Sequence, residues 1–404
     1  MGTPVLIDIS STLLLIAFLL YIVATICFVV TITGKKWSVE QGENPKKKWG
    51  KIGFLTTLVG FGCHLGFFFL RWIGQGHTPT SNMFEFMSVL SLTVILGFII
   101  IHAIYRVASL GAFVLPVTVT LIGWASVFDT NPKPLIPALQ SHWLTLHVTT
   151  VSIGEGIFAV GFAAGLMYVL RTVDQKKSSA QTFALEFFLF TVLILVGFII
   201  LSFLFSAIGY EVSFEYINER GEEQTITYTL PAIAGPHEGE QITAERMQPI
   251  ISTPSWMQGV DAPRKFNTMI WSVLGGLVLY VGLRLLIRKR LGAAMQPWVM
   301  ELKPSMLDEI SYRAIAIAFP IFTLGGLIFA MIWAEQAWGR FWGWDPKEVW
   351  ALITWLFYAT YLHLRLSRGW HGAKSAWLAV IGFIIIMFNL VFVNLVIAGL
   401  HSYA

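Results

Sequence analysis

Cysteine is nearly absent: the 404-residue chain carries only two, Cys27 and Cys63. Both lie within apolar runs, so they supply neither a surface thiol pair nor a C-x-x-C-H attachment motif. Charge is scarce too, at 12% of residues, with a mean hydropathy of +0.70. That balance excludes a soluble fold of this size. The net charge of +4 calls for no nucleic-acid partner, because lysine and arginine at the ends of membrane loops account for it. There is no glycine-rich nucleotide loop, no Walker pattern, no H-E-x-x-H and no Ser/Thr/Asp set pointing to nucleophilic catalysis. An ATP-driven pump is therefore not expected.

What the chain does have is apolar runs of about 20 residues, each long enough to cross a bilayer as a helix. The expected fold is an all-α polytopic membrane protein with ten spans, at roughly 9–33, 52–73, 84–105, 108–128, 143–170, 183–208, 267–288, 312–334, 348–366 and 375–399. The first run is too long, and too poor in leading basic residues, for a cleaved signal peptide. Basic residues cluster after the first, third, fifth, seventh and ninth spans, among them Lys46, Lys47, Lys48, Arg106, Arg171, Arg288 and Arg365. The excess of basic residues on the cytoplasmic side puts those connections in the cytoplasm and both termini outside, in a bacterial plasma (inner) membrane.

Three regions follow: 1–209 with the first six spans, an external soluble insert at 210–266, and 267–404 with the last four spans. In the insert, "EVSFEYIN" and "TITYTL" alternate apolar and polar residues, which predicts a β-hairpin turning near Gly221. The rest of the insert, rich in Pro, Gly and Glu, reads as irregular. It is acidic, which suits either a solvated loop or a basic partner.

Between the eighth and ninth spans lies "WGRFWGWDPKEVW" (338–350), with four tryptophans in thirteen residues. Tryptophan gathers at membrane interfaces, and Asp345, Pro346 and Glu348 fit the N-cap, first and third positions of a helix. Belt and cap explain part of the segment but do not require so many indoles beside two glycines. Trp338 and Trp342 are four apart and share a face if the segment is helical. Together with Trp344 and Trp350 they suggest a platform for a planar ligand.

A histidine inside a span is a candidate functional residue, because burying a polar group in lipid is unfavourable. His147 lies about one turn inside the outer end of span five, and His401 at the outer end of span ten. Both share the depth of the tryptophans. His363 lies about 25 Å down span nine at 1.5 Å per residue, near the cytoplasmic leaflet. Neutral imidazole ligates haem iron well, and haem is a planar ligand suited to a tryptophan surface. Each histidine also has a plainer reading: an interfacial one is simply hydrated, and His363 hydrogen-bonds to a neighbouring helix. His64 and His102 read as packing residues. Glu155, two turns below His147, would cost roughly 3 kcal/mol as a bare charge, so it is paired, protonated or functional. His77, in the external loop, has no assigned role.

"WGRFWGWDPKEVWALITWLFYATYLHLR" closely resembles the tryptophan-rich haem-handling signature of system II cytochrome c biogenesis proteins, the CcsA/ResC family. "GHTPTSNMFE" (76–85), "LTLHVTTVSIGEGIFA" (144–159) and "NLVIAGLHSY" (394–403) resemble three further family segments in the same order. The chain departs from the pattern by an extra pair of spans and the insert, about 183–290. The resemblance implies a haem lyase subunit that moves haem b from the cytoplasmic side to the outer face and presents it for thioether attachment. It implies His147 and His401 as external axial ligands of the iron and His363 as the intramembrane one. Trp338, Trp342, Trp344 and Asp345 would orient the haem, with Trp350 in the same platform. The implied partners are a ResB/CcsB-type membrane subunit, which supplies the second intramembrane ligand, an apocytochrome c with C-x-x-C-H, and a thiol-disulfide reductant. His64 and His102 are the alternatives within this chain for that second ligand. A haem exporter without lyase activity, or an ion or solute transporter, is the competing expectation.

Overall fold

The computed structural model describes residues 3–33, 45–132, 135, 140–217, 222–243, 245–251, 253–254, 259 and 261–393. Within the described residues, every expected span is helical. They are α1 (Thr3–Thr33), α2 (Pro45–Gln75), α3 (Met83–Tyr105), α4 (Gly111–Ala125), α5 (His142–Thr172), α6 (Ala180–Ala207) and α7 (Ala262–Ile287). After the short α8 (Leu291–Met295) come α9 (Pro304–Phe322), α10 (Ala330–Trp338), α11 (Pro346–Arg368) and α12 (Ala373–Phe388). Among the described residues, nine helical stretches are long and apolar enough to cross a membrane. The ninth expected span, α11, is not one of them. Its 23 residues would reach about 35 Å, but it carries Lys347, Glu348, Arg365 and Arg368. Arg365 is met within the fold by Asp308 on α9, at 2.6 Å.

The chain divides into two compact units. In the first, residues 1–176 and 295–404, α5 is the axis: 83% of its most apolar window is buried, against 33% for α1. α3, α9 and α12 pack around it. In lipid no hydrophobic force drives helices together, so close packing and polar cross-bonds must do so. Both are present. Thr93 Oγ1 on α3 donates to Ser152 O at 2.7 Å, and Ser311 Oγ on α9 donates to Gly161 O at 2.8 Å.

The second unit is residues 177–294. α6 and α7 pack against each other. The insert forms the expected hairpin: β1 (Val212–Ile217) pairs antiparallel with β2 (Glu223–Tyr228), from Val212↔Tyr228 to Ile217↔Glu223. The turn itself, with Gly221, lies outside the described residues. A two-residue β3 (Glu240–Gln241) adds to the other edge of β1, where irregular chain was expected. Asn267 on α7 ties the insert down, with Oδ1 accepting from Ala234 N and Nδ2 donating to Ala234 O, each at 2.8 Å.

One buried ion pair shapes the loop between α2 and α3. Arg71 Nε donates to Glu85 Oε1 at 2.8 Å, and both side chains are fully buried. Glu85 Oε2 also accepts from Ser81 N and Oγ, at 2.9 and 2.8 Å, while Asn82 Oδ1 caps α3 at Glu85 N. Removing one partner of such a pair leaves an uncompensated buried charge and costs about 3–5 kcal/mol. Glu85→Ala is therefore expected to lower the thermal midpoint of the detergent-solubilised protein sharply. Arg71→Met combined with Glu85→Leu should cost much less than either partner lost alone. Equal losses in the single and double variants would show that the pair carries no such coupling.

Candidate functional site

His147 sits one turn into α5, and two neighbours fix its ring. Its Nδ1 is 2.9 Å from the carbonyl oxygen of Gly325. A carbonyl only accepts, so Nδ1 carries the proton and the lone pair of the neutral imidazole lies on Nε2. The buried Trp333 of α10 stacks on the other side, with ring centroids 5.8 Å apart and planes 10° from parallel. The sequence explains how Gly325 arrives there. Pro320 lacks a backbone N–H, and Gly325 and Gly326 follow it. Over Thr323–Phe329 the helix widens to a π-helix before α10 resumes. π-Segments of this kind recur at functional sites. A β-carbon on Gly325 would lie 2.4 Å from Val151 N, so only glycine lets the two backbones come this close.

His147 opens onto a cleft whose cavity volume is about 190 Å³. The walls come from separate parts of the first unit: Thr80–Met83 and Phe86 at the start of α3, Leu144, Val148, Val151 and Glu155 on α5, and Trp333 on α10. Phe341, Trp342, Lys347 and Glu348 come from the tryptophan-rich segment, and Asn389 from the end of α12. Thr78 Oγ1, 3.0 Å from Thr145 Oγ1, ties the α2–α3 loop to α5 beside His147. Among the described residues no three His, Cys, Asp or Glu side chains converge as a bare-metal site would require. An imidazole with its lone pair on Nε2 is a donor of the kind that haem iron takes, and it stands beside aromatic walls and the polar side chains of Asn82, Glu155, Lys347 and Glu348.

The tryptophan-rich segment does not form one continuous platform. α10 ends at Trp338, and Gly339 caps it in the left-handed conformation (φ +67°). Trp338 and Trp342 therefore do not share a helical face. Trp338 packs edge-on against Trp333, centroids 4.8 Å apart. Trp342 lines the cavity and meets Trp344 edge-on at 6.0 Å. Trp344 is 71% exposed and is itself left-handed (φ +57°). Trp350 lies over Phe388 of α12, at 4.6 Å. Asp345 is buried and caps α11 as expected: it accepts from Lys347 N at 3.2 Å, while Glu348 reaches back to the N–H groups of Gly343 and Asp345. Of the expected external residues, His147 and Trp342 line the cavity; among the described residues Trp338, Trp344 and Asp345 frame it without lining it.

His363 lies on an exposed face of α11. His401 lies outside the described residues. His64 is fully buried, with Nδ1 3.4 Å from Tyr21 OH, and His102 stacks on Phe54 at 4.3 Å. Both are held in aromatic packing. His77 Nδ1 is 3.0 Å from Thr78 O, within its own loop. Three participants escaped the sequence reading: Trp333, Gly325 and Asn389. The one available signal was "FPIFTLGG", where proline followed by paired glycines forecasts an irregular helix.

Outer partners that orient a ligating histidine are worth about 10–100-fold in affinity. If His147 ligates haem iron, Gly325→Ala weakens haem binding by a factor in that range, read by titrating haem into the purified protein and following its visible absorption. Gly326→Ala is the control, because its β-carbon would meet only the Phe322 ring, at 3.1 Å. In a His147→Gly background, Gly325→Ala should add nothing. An equal loss there would reduce Gly325 to a packing residue.

A family model described as cytochrome C assembly protein matches residues 268–401. The cytochrome c biogenesis protein CcsA of Gloeobacter violaceus is 30% identical over 358 residues, 87% of this chain and 86% of that protein. The CcsA of Prochlorococcus marinus is 30% identical over 376 residues, 91% of this chain and 88% of its own. The Picosynechococcus CcsA is 28% identical over 359 residues, 87% of each. Identity sustained over nearly the full length of both chains, on a multi-pass helical frame, places this protein in the CcsA family of cytochrome c biogenesis membrane proteins.

Proposed function

We propose that the protein is the membrane subunit of a cytochrome c haem lyase. It moves haem b from the cytoplasmic side to the outer face and presents it there for thioether attachment. The observation that carries this reading is the His147 ring, held between Gly325 O and Trp333 at the mouth of an aromatic-walled cleft. On this reading the chain lies in a bacterial plasma membrane with its basic connections in the cytoplasm and both termini outside. Reduced haem brings the vinyl groups. Each cysteine thiol of the apocytochrome C-x-x-C-H adds across one vinyl, sulfur to the inner carbon and hydrogen to the outer, with no oxidant consumed. The chain contributes iron ligation and orientation rather than acid–base groups. His147 and His401 are the external axial ligands. Trp342 flanks the ring plane, and Trp344 offers an exposed indole where the apocytochrome arrives. His363, exposed on α11, suits an iron ligated jointly with a partner chain of the ResB/CcsB type. A thiol-disulfide reductant keeps the apocytochrome thiols available.

The test is the visible spectrum and product of the complex purified with its ResB/CcsB-type partner. Wild-type complex should carry haem with two nitrogen ligands and yield covalent cytochrome. His147→Gly and His401→Gly should each lose maturation, and added imidazole should restore part of it. His363→Ala should deplete haem from the external site as well, because transfer begins upstream. Haem bound without thioether product would identify an exporter. Normal maturation in the double external variant would overturn the reading.

Trp344 offers an independent check. A non-glycine residue in the left-handed region carries about 1–2 kcal/mol of strain. Trp344→Gly should therefore stabilise the fold by up to about 1 kcal/mol, read by thermal unfolding, while lowering the yield of covalent haem per complex. Trp344→Ala should lower the yield without the gain in stability. Wild-type yield from both would leave Trp344 outside the function.

A further inference from the structure

The insert ends in an open sheet edge. Its strand order is β2-β1-β3, so β1 is enclosed and β2 stands at the rim. The backbone of Ser213 on β1 is engaged on the β3 side: its carbonyl accepts from Ile242 N at 2.9 Å, and its N–H donates to Thr243 Oγ1 at 3.0 Å. Successive residues of a strand turn their backbone groups to opposite edges. Ser213, Glu215 and Ile217 therefore turn theirs to the β3 side, and their cross-strand partners Thr227, Thr225 and Glu223 turn theirs outward from the rim. All three rim residues are exposed, and among the described residues nothing pairs with their outward N–H groups. Native sheets blunt such an edge with lysine, proline or a bulge. β2, "EQTITY", has neither lysine nor proline, and its register with β1 runs unbroken over six pairs.

We infer that this rim is a docking edge for a basic chain in extended conformation, which adds to β2 as a further strand. The inference rests on the proposed function, which supplies such a chain: an apocytochrome still lacking its haem arrives with its C-x-x-C-H segment open to reaction. In strand addition, main-chain hydrogen bonds hold the guest and alternate side chains select it. Charge does the selecting here. Residues 211–245 hold eight glutamates against one arginine and no lysine, and each of these glutamates that is described is exposed. Glu215 stands directly opposite Glu240 on β3, a like-charge pairing that works against the sheet on its own. By pairing and by the period of two, Glu215, Thr225 and Glu223 point to one face. A lysine or arginine opposite Thr225 on the added strand shares that face and relieves the repulsion. A second copy of the insert would set glutamate against glutamate, so the chain itself is a poor guest.

The experiment uses the full-length protein purified with its partner subunit. The probe is an apocytochrome c with both cysteines alkylated, so that docking is read without attachment. Amide hydrogen exchange should show Thr225 and Thr227 exchanging freely in the complex and protected once the probe is added. Ile226, whose backbone faces β1, should change little. Succinylating the lysines of the probe should abolish the protection. Thr225→Pro removes an outward N–H and leaves the β1 ladder intact. It should weaken binding about tenfold, the scale of one or two lost hydrogen bonds, while Thr225→Val binds as wild type. Glu215→Gln combined with Glu240→Gln should weaken binding at low salt and flatten its salt dependence. A bound probe that leaves Thr225 and Thr227 exchanging freely overturns the inference. So does protection of these amides before the probe is added, which would give the edge to the partner subunit or to a second copy. If Thr225→Pro gives wild-type yield of covalent haem on unmodified apocytochrome at limiting concentration, the inference fails and the proposed function stands. If wild type neither binds the probe nor yields covalent product, both fail.

Discussion

A methyl group on Gly325 would sit 2.4 Å from the backbone nitrogen of Val151. That near-contact between a π-helical segment and α5 fixes the His147 ring, because it brings a carbonyl to Nδ1 from a different helix. The same economy of side chains runs along α5. A β-carbon on Gly156 would lie 2.6 Å from the backbone of Thr93 on α3. With no hydrophobic drive between helices in lipid, such approaches and the hydrogen bonds they allow hold the bundle together. α5 is clamped on several sides along its length, and the cleft runs beside it from Leu144 to Glu155. There α3 begins, α10 has parted from the π-segment, and the tryptophan-rich segment closes over.

The four tryptophans of that segment do different work. Trp342 gives a wall to the cavity, Trp338 supports Trp333, Trp350 packs on α12, and Trp344 stands exposed. The Asp345–Glu348 capping box is what allows this divergence. It satisfies the backbone N–H groups of Gly343 and Asp345 and so holds a short irregular connection in one shape. A residue in the left-handed region is tolerated at Trp344 only because its surroundings over-determine it. The density of aromatic residues is therefore scaffold and surface together, and Asp345 helps set the shape of the connection by capping α11.

Nine helical stretches were legible as long apolar runs, and the hairpin because its strands alternate with period two. Asp345, Pro346 and Glu348 were legible as a helix start because capping chemistry is local. The His147 clamp was not. A π-segment hides inside one apolar run, and hydropathy does not distinguish it from α-helix. Trp333 looked like one more span residue until the fold brought it beside His147. Counting along α11 gave the depth of His363 but not the direction it faces. The shared face expected for Trp338 and Trp342 required a helix that Gly339 ends. The insert's third strand was invisible because two residues carry no pattern.

A site for cargo faces demands that a resident cofactor's site does not. It must bind well enough to receive and weakly enough to release, as any conduction pathway must. On the proposed reading this chain meets both by dividing the grip. His147 is rigid, fixed through its edge and its face, so orientation is paid for before the ligand arrives. The other iron ligands come from elsewhere: His401 from the far end of the chain, and a partner chain beside the exposed His363. None of these need be lost together. An apocytochrome histidine can replace one ligand while the oriented ring still holds the other side of the iron. Release then follows from the product's own ligand rather than from rearrangement of a bundle whose central helix has no room to move.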